Sequence, residues 1–289
     1  MKLALGTAQF GLNYGVANST GQMNYAEAKK TLALAKSSGV DLLDTAIAYG
    51  DSEVCLGDLG ISDFKIVTKI PGLPEKKTDV VQWINDQLHA SHSRLGVGRI
   101  YGLLLHRSQQ ITGADGKLVY RAMQRLKELG LVEKIGVSIY APNELEAVLA
   151  TGQIDIVQCP LSLVDRRLHT TGWLYRLKAN NVEVHVRSVF LQGLLLMSYR
   201  KIPERFHKWQ GIWKVWNDWL KKNPDISATQ ACLGYVNQFS EVDRIIVGVD
   251  NLSQFKELLR SFRTSMIDSY PDLACNDENL VHPFNWERL

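Results

Sequence analysis

Four side chains within the first 106 residues have types suited to moving a proton together: Asp44, Tyr49, Lys69 and His106. A tyrosine with a pKa near 10 is a weak acid at neutral pH, and shifting it by about two units takes about 2.7 kcal/mol. A lysine at about 4 Å contributes roughly 4 kcal/mol at an effective dielectric of about 20, enough to favour the phenolate and tune Tyr49 as a donor. Asp44 would keep that lysine charged and oriented, and His106 would fix a carbonyl oxygen against the phenol. Such a set protonates an oxygen that has just accepted a hydride. Singly, each residue has a plainer reading: Asp44 before Thr45 as a cap, Lys69 before Pro71 as a solvated charge, Tyr49-Gly50-Asp51 as a turn. Their combination at the ends of apolar segments carries the information.

Those segments recur along the chain. Leu3 to Thr7, Val40 to Asp44, Lys65 to Lys69, Ile100 to His106, Glu133 to Ser138, Ile154 to Gln158, Val182 to Ser188 and Arg244 to Gly248 each read as a short strand. Amphipathic stretches lie between them, among them Ala26 to Ser38, Val119 to Leu129 and Asn251 to Phe262, and Pro142-Asn143-Glu144 opens another. Strands separated by helix-sized intervals pair in parallel, and eight such units predict a single α/β domain, a (βα)8 TIM barrel, with 263–289 as a C-terminal tail. An open dinucleotide-binding sheet would place GxGxxG after an early strand, which Gly11 to Gly15 does not supply. In a barrel the site lies at the C-terminal rim, where Asp44, Lys69 and His106 end neighbouring strands. Trp209, Trp213, Trp216 and Trp219, in the longest interval between strands, read as one packing face of a helix.

Composition narrows the partners. Lys+Arg 33 against Asp+Glu 30 gives a formal net charge of +3, and the basic pairs Lys29-Lys30, Lys76-Lys77, Arg166-Arg167 and Lys221-Lys222 are scattered, so no nucleic acid is expected. No apolar run approaches the ~20 residues of a membrane helix, and no export signal interrupts the reading of a cytoplasmic protein. Cys55, Cys159, Cys232 and Cys275 form no CxxC pair and read as reduced thiols. His89 and His92 share a helix face but have no third ligand at a suitable spacing, so no metal is expected.

The run Asp44-Thr45-Ala46-Ile47-Ala48-Tyr49-Gly50, followed by Ser52-Glu53 and Leu56-Gly57, with Ile66-Val67-Thr68-Lys69 and Leu103-Leu104-Leu105-His106, resembles the aldo-keto reductases over most of the chain to about Phe262. The resemblance implies NAD(P)H-dependent reduction of a small-molecule aldehyde or ketone without a metal, with Tyr49 as general acid. It further implies that Gly6 and Thr7 end the first strand on the cofactor side and that Ser138 and Gln158 hold the nicotinamide amide. Ser188, Phe190, Gln192, Gly193 and Leu194 match the pyrophosphate loop, Gly248, Gln254 and Glu257 match the adenosine half, and Gln9 matches a substrate border. Three positions depart from the pattern. Ile139 replaces an asparagine, Arg187 stands where an aromatic ring stacks on the nicotinamide, and the stretch from Gly248 to Gln254 lacks a cation for the 2′-phosphate. The cofactor implied is NADP(H), with NAD(H) as the alternative. Two other functions fit the same residues: a regulatory subunit that binds the cofactor with little turnover, resembling the potassium-channel β-subunit branch, and a lyase with Lys69 as Schiff base.

Overall fold

The computed structural model describes residues 1–74, 79–264 and 267–288, so the Lys76-Lys77 pair lies outside the described residues. The apolar segments form β1 (Leu3–Gly6), β2 (Leu42–Asp44), β3 (Lys65–Ile70), β4 (Ile100–Leu105), β5 (Val132–Ser138), β6 (Ile156–Pro160), β7 (Glu183–Arg187) and β8 (Val242–Gly248). Each pairs in parallel with its sequence neighbour, and β8 returns to β1, closing the barrel. Most of these strands are buried along their length, because helices cover the outside and side chains fill the bore. Strand starts differ by up to two residues from the apolar runs for a charge-related reason. Asp41 before β2 holds Arg244 at 2.8 Å, and Asp155 before β6 accepts from the Ile135 amide at 2.9 Å and pairs with Lys127, so polar residues stitch the strands where hydrophobicity alone marks no boundary.

Two apolar layers follow from that arrangement. Ala4, Leu42, Val67, Tyr101, Leu104, Ile156 and Ile246 form the bore. A much larger cluster lies between strands and helices. The far end of the bore is polar: Lys134 contacts Glu183 at 2.5 Å, Tyr101 donates to it at 2.9 Å, and His185 lies 3.3 Å from it. Against the burial that would raise it, hydrogen bonds from His185, Lys134 and Tyr101 hold Glu183 down at about 2.

The tryptophan face packs, as its spacing predicts. Trp213 and Trp216, on the helix Gln210–Lys222, are buried, and their ring N–H groups donate to the carbonyls of Phe206 and Leu195, each at 2.9 Å. Trp209 precedes the helix rather than riding on it, and Trp219 stacks on Trp216 with centroids 5.6 Å apart. The residues after the last barrel helix, Leu252–Arg263, return across the rim. Cys275 donates its amide to Val164, and Trp286 buries its ring against Phe206 with centroids 4.9 Å apart.

Candidate active site

The loop after β2 carries Tyr49, and its course is set by backbone contact. Gly50 takes φ +54°, and a Cβ on Gly11 would lie 1.9 Å from the Tyr49 carbonyl oxygen and 2.4 Å from the Ser52 nitrogen. Two glycines therefore let the short helix Ala8–Gly11 press on this loop. The next residues pin it from below: Ser52 donates to the Thr7 carbonyl at 2.8 Å, while buried Glu53 accepts from Thr68 at 2.6 Å and from Arg94 at 2.8 Å.

At the rim, Lys69 is wholly buried and donates to Asp44 Oδ2 at 2.7 Å and to the Thr45 carbonyl at 2.8 Å. Gln158 Nε2 occupies the other Asp44 oxygen at 2.7 Å. The Lys69 ammonium lies 5.0 Å from the Tyr49 ring centroid, and the His106 ring meets that ring edge-on with centroids 5.8 Å apart. The four residues expected to act together are thus brought together. Their electrostatics differ from the expectation in one respect. Asp44 neutralises the lysine at close range, so the phenol is not drawn toward phenolate; burial, followed by the Asp44 charge, pushes the Tyr49 hydroxyl upward, and Arg187 pulls it part of the way back. Burial also lowers Lys69, although Asp44 favours its charged form. Burial first, then Lys69, Arg187 and Arg107, drive His106 down to about 3. The imidazole is therefore neutral at physiological pH, and it can donate one hydrogen bond without carrying charge.

Two cavities meet at these residues. The larger, about 640 Å³, runs from Asp44, Tyr49, Gln158 and Arg187 past the loop after β7 to Ser227, Gln254 and Glu257. The smaller, about 490 Å³, is bounded by Ala48, Pro71, His106, Arg107, Tyr140 and Phe284. Tyr49 lines the first, the adjoining Ala48 lines the second, and Lys69 lines neither.

Of the other predicted residues, Gly6, Thr7, Ser188, Phe190, Gln192, Gly193 and Gly248 line the larger cavity, and so does Gln9, 3.5 Å from Asp250. Ser138 ends β5 beside Gln158, buried, and Leu194 is buried in the core; neither lines a cavity. Arg187 lies 4.6 Å above the Tyr140 ring and donates to the Ile139 carbonyl at 2.9 Å, without an ion-pair partner among the described residues. Sequence reasoning missed Tyr14, which accepts from Gln192 at 3.2 Å over the larger cavity; of the smaller one's wall it named His106 and, in a tail expected to help choose the substrate, His282. Tyr14 sits in a long irregular loop and Phe284 in the tail, where no periodicity marks a site.

The larger cavity has features of a built ligand site. Gln9 Oε1 is buried without a hydrogen bond among the described residues, and a Cβ on Gly248 would come within 2.5 Å of it. Ser188, Leu191 and Gln192 all take positive φ (60°, 49° and 51°), a conformation costing about 1 kcal/mol or more per non-glycine residue and found mostly where function requires it. Among the described residues no group of three or more His, Cys, Asp or Glu is placed to hold a metal.

A closed eight-stranded barrel with an Asp, Tyr, Lys and His set at one rim defines a class of protein. Residues 2–270 match the model of the Aldo/keto reductase family, and the chain belongs to that family. An aldo-keto reductase of Mycolicibacterium vanbaalenii is 30% identical over 141 residues, which cover 45% of this chain and 46% of that protein, so the match spans under half of either. The uncharacterized oxidoreductase YqkF of Bacillus subtilis is 23% identical over 77% of this chain and 78% of its own. The holo form of an aldo-keto reductase from Bacillus halodurans superposes with a TM-score of 0.74 at 20% identity, over 92% of this chain and 88% of that one. A putative aldo-keto reductase from Pseudomonas aeruginosa gives 0.65 at 23% identity, over 91% and 90%. At these identities the superpositions establish the barrel and nothing finer. No helix among the described residues is long and apolar enough to cross a membrane.

Proposed function

We propose that the protein is an oxidoreductase that reduces an aldehyde or ketone to an alcohol with NADPH or NADH, Tyr49 delivering the proton. The observation that carries this reading is that Tyr49 lines the larger cavity while its ring meets, edge-on, the neutral His106 that lines the smaller one. A bound nicotinamide nucleotide supplies the hydride. Gly6, Thr7, Gln158, Ser188, Gln192 and Gly193 would hold it along the larger cavity, where Gln9 Oε1, without a hydrogen bond among the described residues, can accept one. Ser138 would act from beside Gln158, and Gln254 and Glu257 at the far end.

The chain's own residues then do the remaining chemistry. His106, uncharged, donates a hydrogen bond that orients the carbonyl oxygen. The Tyr49 phenol, held protonated by burial, gives its proton to that oxygen as negative charge develops there, and the Arg187 charge, which favours the phenolate, and the Lys69 ammonium, 5.0 Å from the ring centroid, would stabilise the anion left behind. Asp44 and Gln158 keep Lys69 in place. Lys69 as a Schiff base is disfavoured, since its amine is buried, bonded twice and faces no cavity. The test is a panel of aldehydes and ketones followed by the absorbance of NADPH and of NADH. Turnover of at least one carbonyl supports the reading; nucleotide binding with no turnover across the panel replaces it with the regulatory-subunit reading.

A further inference from the structure

One charge on the wall of the smaller cavity has no ion-pair partner among the described residues. Arg107 directly follows His106 and is exposed on the cavity wall. Its guanidinium makes neither a hydrogen bond nor an ion pair among the described residues; it lies 5.9 Å from the Phe284 ring centroid, and its Cδ borders the open space beside Gly72. Every other charge on that wall is already engaged. Glu144 accepts from the amides of Tyr140 and Ala141 at 2.8 and 2.7 Å and from the Ser108 hydroxyl. Arg167 is held by Asp165 through two bonds of 2.9 Å, and Glu278 lies 3.8 Å from Arg167.

Arg107 also lines the same cavity as His106, its neighbour in the chain, which would orient the carbonyl. A guanidinium stays charged at any working pH and offers a planar fork that matches a carboxylate or phosphate. A permanent cation left open at the mouth of a cavity, one residue from the group that would orient the carbonyl, is placed to receive an anion. Resting on the reductase reading above, we propose that the carbonyl substrate carries a carboxylate or a phosphate and that Arg107 binds it, which makes Arg107 the specificity residue of the smaller cavity.

Matched pairs of aldehydes test this. For the carboxylate arm, 4-carboxybenzaldehyde is compared with its neutral methyl ester; for the phosphate arm, glyceraldehyde 3-phosphate is compared with glyceraldehyde. A charge-assisted hydrogen bond predicts that one charged member exceeds its neutral partner in kcat/KM by about tenfold or more. That ratio should collapse in Arg107→Gln, mainly through KM, and be partly kept in Arg107→Lys. Which arm shows it identifies the anion. Equal use of charged and neutral members, or an unchanged ratio in Arg107→Gln, overturns the proposal while leaving the reductase reading intact. Binding of benzoate and glycerol 3-phosphate to the protein, followed by calorimetry, needs no turnover. Should none of the four aldehydes be reduced, the reductase reading is the one in trouble, and Arg107 is still decided: anion binding lost in Arg107→Gln supports its role, and no anion binding to the wild type refutes it.

Discussion

Lys69 shows how distance decides what a charge does. Its ammonium is held by Asp44 at 2.7 Å, and the Tyr49 phenol beside the pair is kept protonated by burial and by the Asp44 charge. Residue types and spacing foretell the four partners, but which pair makes the close contact is a matter of side-chain geometry that no spacing encodes. Lys69→Met leaves the Asp44 carboxylate buried with Gln158 alone, and breaking a buried ion pair this way costs about 3–5 kcal/mol. Urea unfolding of the variant should show that loss, together with a fall in turnover. His106 makes a pH prediction. An unfolded histidine titrates near 6.5, whereas His106 in the barrel is driven down to about 3. The unfolded chain therefore takes up the proton first, so the stability associated with a neutral His106 is complete above pH 6.5 and declines as pH falls toward 3. In His106→Gln the urea midpoint should vary less between pH 6.5 and 4 than in the wild type, and an unchanged slope would contradict the assignment.

At the scale of elements, close backbone approach positions the loop that carries Tyr49. A Cβ at Gly11 meets backbone atoms of Tyr49 and Ser52, which cannot swing aside, while a Cβ at Gly211 meets nothing within 4 Å. Gly11→Ala should lower both the melting temperature and the single-turnover rate by displacing the Tyr49 loop. Gly211→Ala, in the first turn of its helix, should leave stability unchanged or raise it by up to about 1 kcal/mol. Trp216→Phe tests the support beneath the positive-φ loop, since it orphans the Leu195 carbonyl; a lower melting temperature with weaker nucleotide binding is expected, and a change in neither would remove the loop's dependence on this helix. The strands were legible because β-branched runs ending in Asp44, Lys69, His106, Ser138 and Gln158 alternate with helical periodicity. The backbone strain in the loop after β7 was not, although the resemblance marked the loop, because Ser188, Leu191 and Gln192 are residue types that ordinarily avoid positive φ.

For the molecule as a whole, the proposed function assigns the two cavities to two binding events, nucleotide in the larger and carbonyl in the smaller. The tail supplies Glu278, His282 and Phe284 to the smaller cavity and, among the described residues, nothing to the larger. The tail could be read from the sequence as a substrate-choosing segment, but not which of its residues reach the cavity, since they come near His106 only after the chain has passed round the entire barrel. Phe284 is 53% exposed, so Phe284→Ala should fold normally, raise KM for the carbonyl and leave nucleotide affinity within about twofold; equal losses in both would mean the cavities are not independent. The central claim is that Tyr49 carries the proton across the boundary between them, and Tyr49→Phe removes only the phenolic oxygen. Nucleotide affinity and single-turnover oxidation of NADPH or NADH, measured on the wild type and this variant with a carbonyl the wild type reduces, test it most directly. The expected result is an affinity close to the wild type with a rate lower by about 10² to 10⁴-fold; a Tyr49→Phe variant that turns over near the wild-type rate would contradict it.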